Sequence, residues 1–399
     1  MIVLVINSGS SSLKFAVRET NDDSFLCKGL VERIGMEDAI FNYEAAARNP
    51  TKKILPVKDH SEAVSAALDA ITDPEDGVVH NPADIRAVGH RIVHGGESVK
   101  SSRLLTPEVE RIIEQASYMA PLHNPANLMG VKAVRRVLPD VPHVGVFDTA
   151  FHASMPESSY IYALDYAMYE THSIRRYGFH GTSHRFVATR AAALLQKPLS
   201  DLNCITCHLG NGCSLTAVKN GKSVDTSMGL GTVCGIPMGT RSGDIDPAVV
   251  LHLMDSLKME SSEIKDLLYK KSGLKGLSGL THDMRDIEAA AAKGNQRAIL
   301  ALEVFAACTK KYIGAYATHM EGRLDAIVFT AGIGENSPTV RGRICKGLEI
   351  MGARLDKTIN EATRGNEGVI SGSDSAVKIF VIPTDEEVMI AREAGLLAK

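Results

Sequence analysis

Several short strings in this 399-residue chain group residue types as phosphate chemistry needs them. Asn7 to Lys14 reads NSGSSSLK, a turn with successive backbone N–H groups, a run of hydroxyls that includes Ser10 and Ser12, and a lysine. Such a set suits phosphate oxygens. His208 to Gly212 (HLGNG) repeats the plan half a chain later, with Ser12-Leu13 and Ser214-Leu215 in step at an offset of 202. Two such turns facing one another could clamp a polyphosphate. Neither is a Walker A loop, and the one GKS, Gly221 to Ser223, has Thr216 where a glycine is required and reads as a hairpin turn after Asn220.

Arg91 in GHRIVHGGE follows a strand end, and Arg241 in MGTRSGDID lies among small residues. Guanidinium forks bind carboxylate and phosphate bidentately and stabilise charge on a transferring phosphoryl group. Histidines gather in loops (His90, His94, His123, His152, His180, His184 and His208). No HExxH and no Cys/His pairs at ligand spacing accompany them, which sets zinc aside. RYGFHGTSH presents His180 as a hydrogen-bond donor near phosphate, with Ser183 or Thr182 expected to cap the next helix and His184 expected to be structural. Asp148 ends one strand, and Asp385, Glu386 and Glu387 follow another. The Mg²⁺ that accompanies a nucleoside triphosphate takes one or two carboxylates, so one of these acids should serve. A helix N-cap explains Asp385 equally well, which leaves the metal assignment open on spacing alone. Ala331 to Ser337 (AGIGENS), with two glycines after a strand, and DMRD at Asp283 to Asp286 together suggest an adenosine pocket.

These loops need strands and helices to hold them. Residues 2–6 (IVLVI) predict a strand buried on both faces, LKFAVRE a strand returning from the turn, and 204–207 with 215–218 a second such pair. Further strands are expected at 85–90, 144–147, 325–329 and 378–382, and helices at 107–116, 127–137, 182–195, 287–320 and 388–397. Alternation of this kind indicates α/β layers, in which ligands sit beyond strand ends.

At 399 residues the chain exceeds one hydrophobic core, so two domains are expected. A composition of 44% hydrophobic and 23% charged residues is that of an ordinary folded protein. A net charge of −3 without a basic run argues against nucleic acid as a partner. The seven cysteines lack a disulfide-framework spacing, and the Cys204/Cys207 pair, three apart on a strand, points to opposite faces and reads as packing. No basic leader and no run of roughly 20 apolar residues occurs, so the expectation is a cytoplasmic protein with no membrane partner.

The strings NSGSSSLKF, GHRIVHGGE, PLHNP, FDTAFH, RRYGFHGTSH, HLGNG, DTSMG, MGTRSGDIDP, FTAGIGENS and PTDEE, in that order, resemble the acetate kinase family from residue 3 to residue 392. The resemblance implies the duplicated ribonuclease-H-like α/β fold of actin, Hsp70 and the sugar kinases, with an active-site cleft between two domains. Residues 1–149 with 385–399 would form the N-terminal domain, carrying the first phosphate loop and closed by the C-terminal helix. Residues 150–384 would form the C-terminal domain, with the second phosphate loop, the adenosine pocket and the dimerisation surface of a homodimer.

The implied reaction is reversible, Mg²⁺-dependent transfer of the ATP γ-phosphoryl group to acetate, with Mn²⁺ as a substitute metal. Carried over by motif, Asn7 and Glu386 would hold the metal, and Lys14 would neighbour the phosphates. Arg91 would bind the acyl carboxylate, with Val93, Leu122 and Phe179 around the acyl tail. Asp148 would be the catalytic acid residue, with His180 and Arg241 stabilising the transition state. His208, Leu209, Gly210, Asn211 and Gly212 would meet the phosphates; Asp283, Met284, Arg285, Gly332, Ile333, Gly334, Glu335 and Asn336 would bind the nucleoside. One departure stands out: GTVCG after DTSMG, where the family reads like TPLEG, puts Thr232 in place of a pocket-lining proline and Cys234 in place of glutamate. That bears on the acyl chain and keeps propionate as the alternative acid. An actin- or Hsp70-like ATPase acting on protein partners would share the turns, but it needs a partner-binding region for which this chain has no room.

Overall fold

Residues 2–6, four of the five β-branched, build the central strand of an eight-stranded sheet. The computed structural model describes residues 1–46, 48–121 and 123–399. The chain divides into two units, Met1–Ala150 with Asp385–Lys399, and Phe151–Thr384.

The first unit holds β1 (Ile2–Ser8), β2 (Ser12–Glu19), β3 (Ser24–Glu32), β4 (Met36–Ala45), β5 (Thr51–Val57), β6 (Ile85–Ile92), β7 (Arg103–Leu104) and β8 (His143–Phe147). Their order is β5-β4-β3-β2-β1-β6-β8-β7. The second unit holds β9 (Cys204–Leu209), β10 (Cys213–Lys219), β11 (Lys222–Thr226), β12 (Ala326–Thr330), β13 (Gly368–Val369) and β14 (Lys378–Val381), ordered β11-β10-β9-β12-β14-β13. The same five-strand core recurs: β3-β2-β1-β6-β8 and β11-β10-β9-β12-β14 each join three antiparallel neighbours to two strands parallel with the central one. The first unit extends the core with β4 and β5, which the sequence reading did not anticipate.

The paired turns are equivalent in place but not in register. Ser8 pairs with Leu13 across four residues, whereas Leu209 pairs with Cys213 across three. A one-residue difference exchanges the faces of a ladder, so the offset of 202 aligns one arm of each hairpin and not the other. The NG hairpin adopts the left-handed pair its type I′ turn requires, at φ 51° for Asn220 and 72° for Gly221. The long helical stretch expected from Ile287 onward is two helices, Met284–Ala292 and Gln296–Thr318. They part at Gly294 (φ 86°) and Asn295, whose side chain caps the second helix.

Alternation along the strands explains where polar side chains emerge. Val3 and Val5 on β1, Ala87 on β6, and Val144 and Val146 on β8 form one apolar face, covered by Ile390, Ala391 and Ala394 of the helix Glu386–Leu397. Gly89 lets that helix lie close, since a Cβ there would come within 2.6 Å of Ile390. Two residues further on, the same stripes reach Asn7, Arg91 and Asp148, with Lys14 opposite Asn7 on β2. The opposite face packs on the helices His60–Ile71 and Asn124–Val137. In the second unit, Cys204 and Val328 pack against the helix Gly181–Leu194. The same parity brings Thr206 and His208 of β9, with their partners Thr216 and Ser214 on β10, to that helix.

Five histidines are buried with their pKa values depressed by desolvation: His90, His143 and His184 shift downward, and His94 and His152 to about 4. Below pH 6.5 the unfolded chain binds protons that the folded chain refuses. Stability is therefore full above about pH 6.5 and falls toward pH 4, by up to roughly 1.4 kcal/mol per pH unit for each histidine. Asp148, Asp225 and Glu387, raised chiefly by burial, act in the opposite sense but are fewer. Urea midpoints followed by circular dichroism should be level from pH 7 to 8 and drop steeply from pH 6 to 4.5. A level midpoint across the acid range would rule this account out.

Candidate active site

In the first unit, three strand ends converge. Arg91 Nε and Nη2 donate to the two carboxylate oxygens of Asp148, at 3.0 and 2.7 Å, and Asp148 is 1% exposed. Burial raises the Asp148 pKa against the pull of Arg91. Burial opposes the Arg91 charge, but Asp148 and Glu386 outweigh it and the guanidinium stays protonated. The three acids of PTDEE separate by partner. Asp385 caps the last helix, accepting from Val388 N–H, and pairs with Arg18 at 2.6 Å. Glu387 lies 3.7 Å from Arg18, and Glu386 lies 3.8 Å from Arg91 Nε. Asp385 and Glu387 are thus engaged by Arg18, and Glu386 is the acid turned to Arg91.

Asparagines whose role the sequence did not reveal hold these ends in place. Asn127, 3% exposed, donates to the Ser8 carbonyl and accepts from Val93 N–H, joining the end of β1 to the loop after β6. Asn124, wholly buried, accepts from His94 N–H and donates to the His94 and Ile113 carbonyls. Both lie in or just after PLHNP, where a polar residue at a helix start reads equally well as a cap. The first turn is tied down as well, with His60 Nε2 donating to the Gly9 carbonyl at 2.8 Å. Ser10 is exposed at its tip, Ser12 is half-buried, and Lys14 is exposed on β2.

In the second unit, His180 heads the helix Gly181–Leu194 in the left-handed region, at φ 57°. Such a conformation is costly for a residue with a Cβ. Neither Ser183 nor Thr182 caps this helix; the Ser183 hydroxyl instead meets His208 Nδ1 and Thr384 Oγ1, each at 2.8 Å. The His180 and His208 rings stack with centroids 4.1 Å apart. A Cβ added to Gly212 would lie 3.4 Å from His180 Cε1 and Nε2 and 3.6 Å from Arg241 Nη1, so both side chains converge on the HLGNG loop. Arg241 donates to the Thr232 carbonyl at 3.1 Å and, among the described residues, meets no carboxylate within ion-pair distance. Burial lowers its pKa. The altered GTVCG loop therefore holds Arg241 through backbone, a contact that does not depend on the side chain at 232.

A cleft of about 730 Å³ opens beside the HLGNG loop. Gly210, Asn211, Asp283, Met284, Arg285, Gly332, Ile333, Asn336 and Ser337 line it, joined by His282 and Glu288, which the sequence reading missed. Asp283 caps the helix Met284–Ala292, and its bond from Arg285 draws its pKa down to about 2. Gly334 and Glu335 do not line the cleft. AGIGEN is a short helix, Ala331–Asn336, not an open loop, and Glu335 turns inward to accept from Ala331 and Thr384 N–H. Leu209 is wholly buried and can offer only backbone. Val93 and Phe179 are both buried, the first in the first unit and the second in the other; Leu122 lies outside the described residues. For Mg²⁺, the Asn7 amide on β1 and the Glu386 carboxylate, 3.8 Å from Arg91 Nε, are hard oxygen donors of the same unit. Among the described residues no cluster of three His, Cys, Asp or Glu forms a cage. That donor set fits an ion held mainly by phosphate and water.

Two ribonuclease-H-like sheets in one chain define the class that includes actin, Hsp70 and the sugar kinases. The profile of the Acetokinase family matches residues 2–392. Acetate kinase of Anoxybacillus flavithermus is 54% identical over 396 residues, covering 99% of this chain and 98% of its own. That of Bacillus subtilis is 52% identical over 397 residues, covering 100% and 99%. The crystal structure of Porphyromonas gingivalis acetate kinase superposes with a TM-score of 0.95 at 45% identity over 100% of both chains. A propionate kinase from Francisella tularensis gives 0.92 at 39% identity over 99% of both. The chain belongs to the acetokinase family and is a kinase.

Proposed function

We propose that the chain is an acetate kinase, transferring the γ-phosphoryl group of ATP directly to the acetate carboxylate, reversibly. The observation that carries this reading is Arg241, a half-buried guanidinium that shares the Gly212 loop with His180 and, among the described residues, has no carboxylate within ion-pair distance. A partly desolvated cation of this kind is strongest toward an anion whose charge grows as the reaction proceeds.

The residues divide the work. Asp148 holds two nitrogens of Arg91 and thereby fixes its plane, and the remaining Nη1 edge receives the acetate carboxylate, with Val93, buried in the same unit, limiting the acyl tail. The cleft lined by Asp283, Met284, Arg285, Gly332, Ile333 and Asn336 takes the nucleoside, the backbone of His208 to Gly212 beside it meets the phosphates, and Lys14, Ser10 and Ser12 are the phosphate ligands of the first turn. Mg²⁺, or Mn²⁺ in its place, held by Asn7 and Glu386 with the nucleotide, supplies charge neutralisation on the phosphates. Positioning and electrostatics account for the catalysis, and no covalent phosphoenzyme is needed.

The test is a hydroxamate assay giving kcat/KM for acetate, propionate and butyrate. Acetate should lead, since one added methylene is worth about 10- to 200-fold in a fitted pocket. Propionate above acetate would replace the substrate, and no acid-dependent turnover would end the kinase reading.

A homodimer and a cytoplasmic location belong to the same proposal. The helix Pro247–Asp255 buries none of its residues, and Val249, Leu251 and Met254 on it are exposed with nearby Ile245 and Leu257. Apolar side chains left exposed along one helix favour association. The cysteines are all unbridged, as in a reducing compartment. Light scattering should return twice the 42.9 kDa chain mass.

A further inference from the structure

The Thr232 carbonyl that receives Arg241 lies in the stretch 228–235 (MGLGTVCG), three of whose residues, Gly229, Gly231 and Gly235, are glycines. Glycine leaves the backbone more states than any other residue, so a carbonyl in such a stretch points one way only if the stretch is tied down. Threonine at 232 does not lock φ as a proline would. A tether stands on either side instead. On one side, Leu230 N–H donates to the Tyr162 hydroxyl at 2.9 Å. On the other, Asp244 Oδ1 accepts from Gly235 N–H at 2.8 Å and from the Cys234 thiol at 3.0 Å. Asp244 N–H donates back to the Gly235 carbonyl at 2.7 Å. Its second oxygen, Oδ2, accepts from the hydroxyl of Tyr312 on the helix Gln296–Thr318. We propose that Asp244 and Tyr312 are positioning residues for Arg241, fixing the Thr232 carbonyl that aims its guanidinium. This rests on the reading of Arg241 as a group at the transferring phosphoryl.

The main chain and the guanidinium of Arg241 are held separately. Gly239 N–H donates to the Asn211 carbonyl of the HLGNG loop, Ser242 N–H to the Leu268 carbonyl, and Ser272 N–H to the Thr240 carbonyl, each at 3.0 Å. Those bonds set where the side chain starts. Several torsions then separate Cα from the fork, and the Thr232 carbonyl selects among their rotamers by accepting from Nη1 at 3.1 Å, with the Met238 sulfur 3.7 Å from the same nitrogen.

Between 235 and 244 the chain returns on itself. Gly243 permits the return, since its φ is 71° and a Cβ there would come within 2.6 Å of the Gly235 carbonyl. The Asp244 carboxylate thus joins the two arms at the base of the loop that carries Arg241, and Tyr312 fastens that carboxylate to a long helix. Without the tether the carbonyl turns, and the guanidinium drifts with it. A misplacement of about 1 Å can cost on the order of 10²-fold in rate. The nucleotide is held in its cleft by other groups, so the loss falls on kcat.

The test is a double-mutant cycle on the full-length enzyme, with kcat and KM read from the hydroxamate assay. Tyr312→Phe keeps the ring and removes the hydroxyl that holds Oδ2. It should lower kcat about tenfold in the parent, with KM for ATP within about twofold, and by less than about twofold in the Arg241→Gln background, where no guanidinium is left to aim. A merely structural hydroxyl would cost the same in both backgrounds. Asp244→Ala should lose more kcat than Tyr312→Phe, and Asp244→Asn, which keeps an oxygen for Gly235 N–H, should restore most of it. Parental kcat in Tyr312→Phe, or an equal loss in both backgrounds, overturns the proposal and leaves Arg241 in the reaction. Asp244→Asn as slow as Asp244→Ala overturns it too, because the charge and not the tether would then matter. Near-parental kcat in Arg241→Gln removes Arg241 from catalysis and the positioning role with it. Should Asp244→Ala fold poorly, the Tyr312 cycle decides alone.

Discussion

Arg241→Gln should lose turnover by about 10³-fold or more, as happens when a transition-state arginine is removed, while melting at the same temperature as the parent enzyme or above it. Both halves follow from one arrangement. Arg241 is half-buried, its polar contacts are the Thr232 carbonyl and the Met238 sulfur, burial lowers its pKa, and among the described residues no carboxylate lies within ion-pair distance. Taking an ion out of water costs several kcal/mol, and the cost is recovered only where a partner of opposite charge is well placed. In the empty enzyme that recovery is incomplete. Glutamine removes the charge but can still donate to a carbonyl, so folding should not suffer. Steady-state kinetics with acetate and ATP, paired with a thermal melt, measures the two effects together. Near-parental kcat would withdraw Arg241 from catalysis, and a melting temperature lower by several degrees would mean that its charge is compensated in the folded chain.

Arg341→Met should do the reverse, destabilising the second unit by roughly 3–5 kcal/mol, the range for breaking one side of a buried charged network. Arg341 is 0% exposed and donates to five acceptors: the carbonyls of Gly334, Glu335, Asn360 and Thr363 and the side-chain oxygen of Asn360. These groups belong to the last turns of the helices Ala331–Asn336 and Lys357–Ala362 and the residue beyond, where helices leave carbonyls unpaired and partial negative charge accumulates. Burial lowers the Arg341 pKa to about 10, which leaves it charged at neutral pH. Methionine fills the space and satisfies none of the oxygens, each of which then carries a desolvation cost of its own. Because Gly332, Ile333 and Asn336 line the nucleoside cleft, KM for ATP should rise more than kcat falls. Urea unfolding and ATP saturation curves measure the two; a loss under 1 kcal/mol with KM unchanged would show that the helix ends hold without Arg341.

Arg341 also marks where the sequence stops being legible. In TVRGRIC, Arg341 and Arg343 are two arginines two apart, and only the fold decides which one is buried. The strand ends were easier to read. Asn7, Arg91 and Asp148 each stand at or just past the end of a continuous apolar run, so the run that predicts a buried strand also predicts where the polar residue emerges. Residue type and spacing could not sort the acids of PTDEE, since capping, ion pairing and metal binding ask for the same residue type; only the family resemblance singled out Glu386. Gly294 and Asn295, a stop and a start side by side, were present in the Ala-rich segment but were outweighed by its helical composition. Asn124 and Asn127 needed the loop after β6 in place before their amides had anything to bind.

Arg18 and Asp385 are paired across 367 positions of sequence. A ribosome therefore delivers β1, β6 and β8 long before it delivers the helix that covers Val3, Val5, Val144 and Val146. Until then the nascent first unit carries a naked apolar sheet face, a surface that invites aggregation and chaperone capture. The same delay acts as a safeguard. Glu386 arrives with that helix, so a prematurely terminated chain could bind nucleotide in its second unit but would lack a complete set of residues around Arg91.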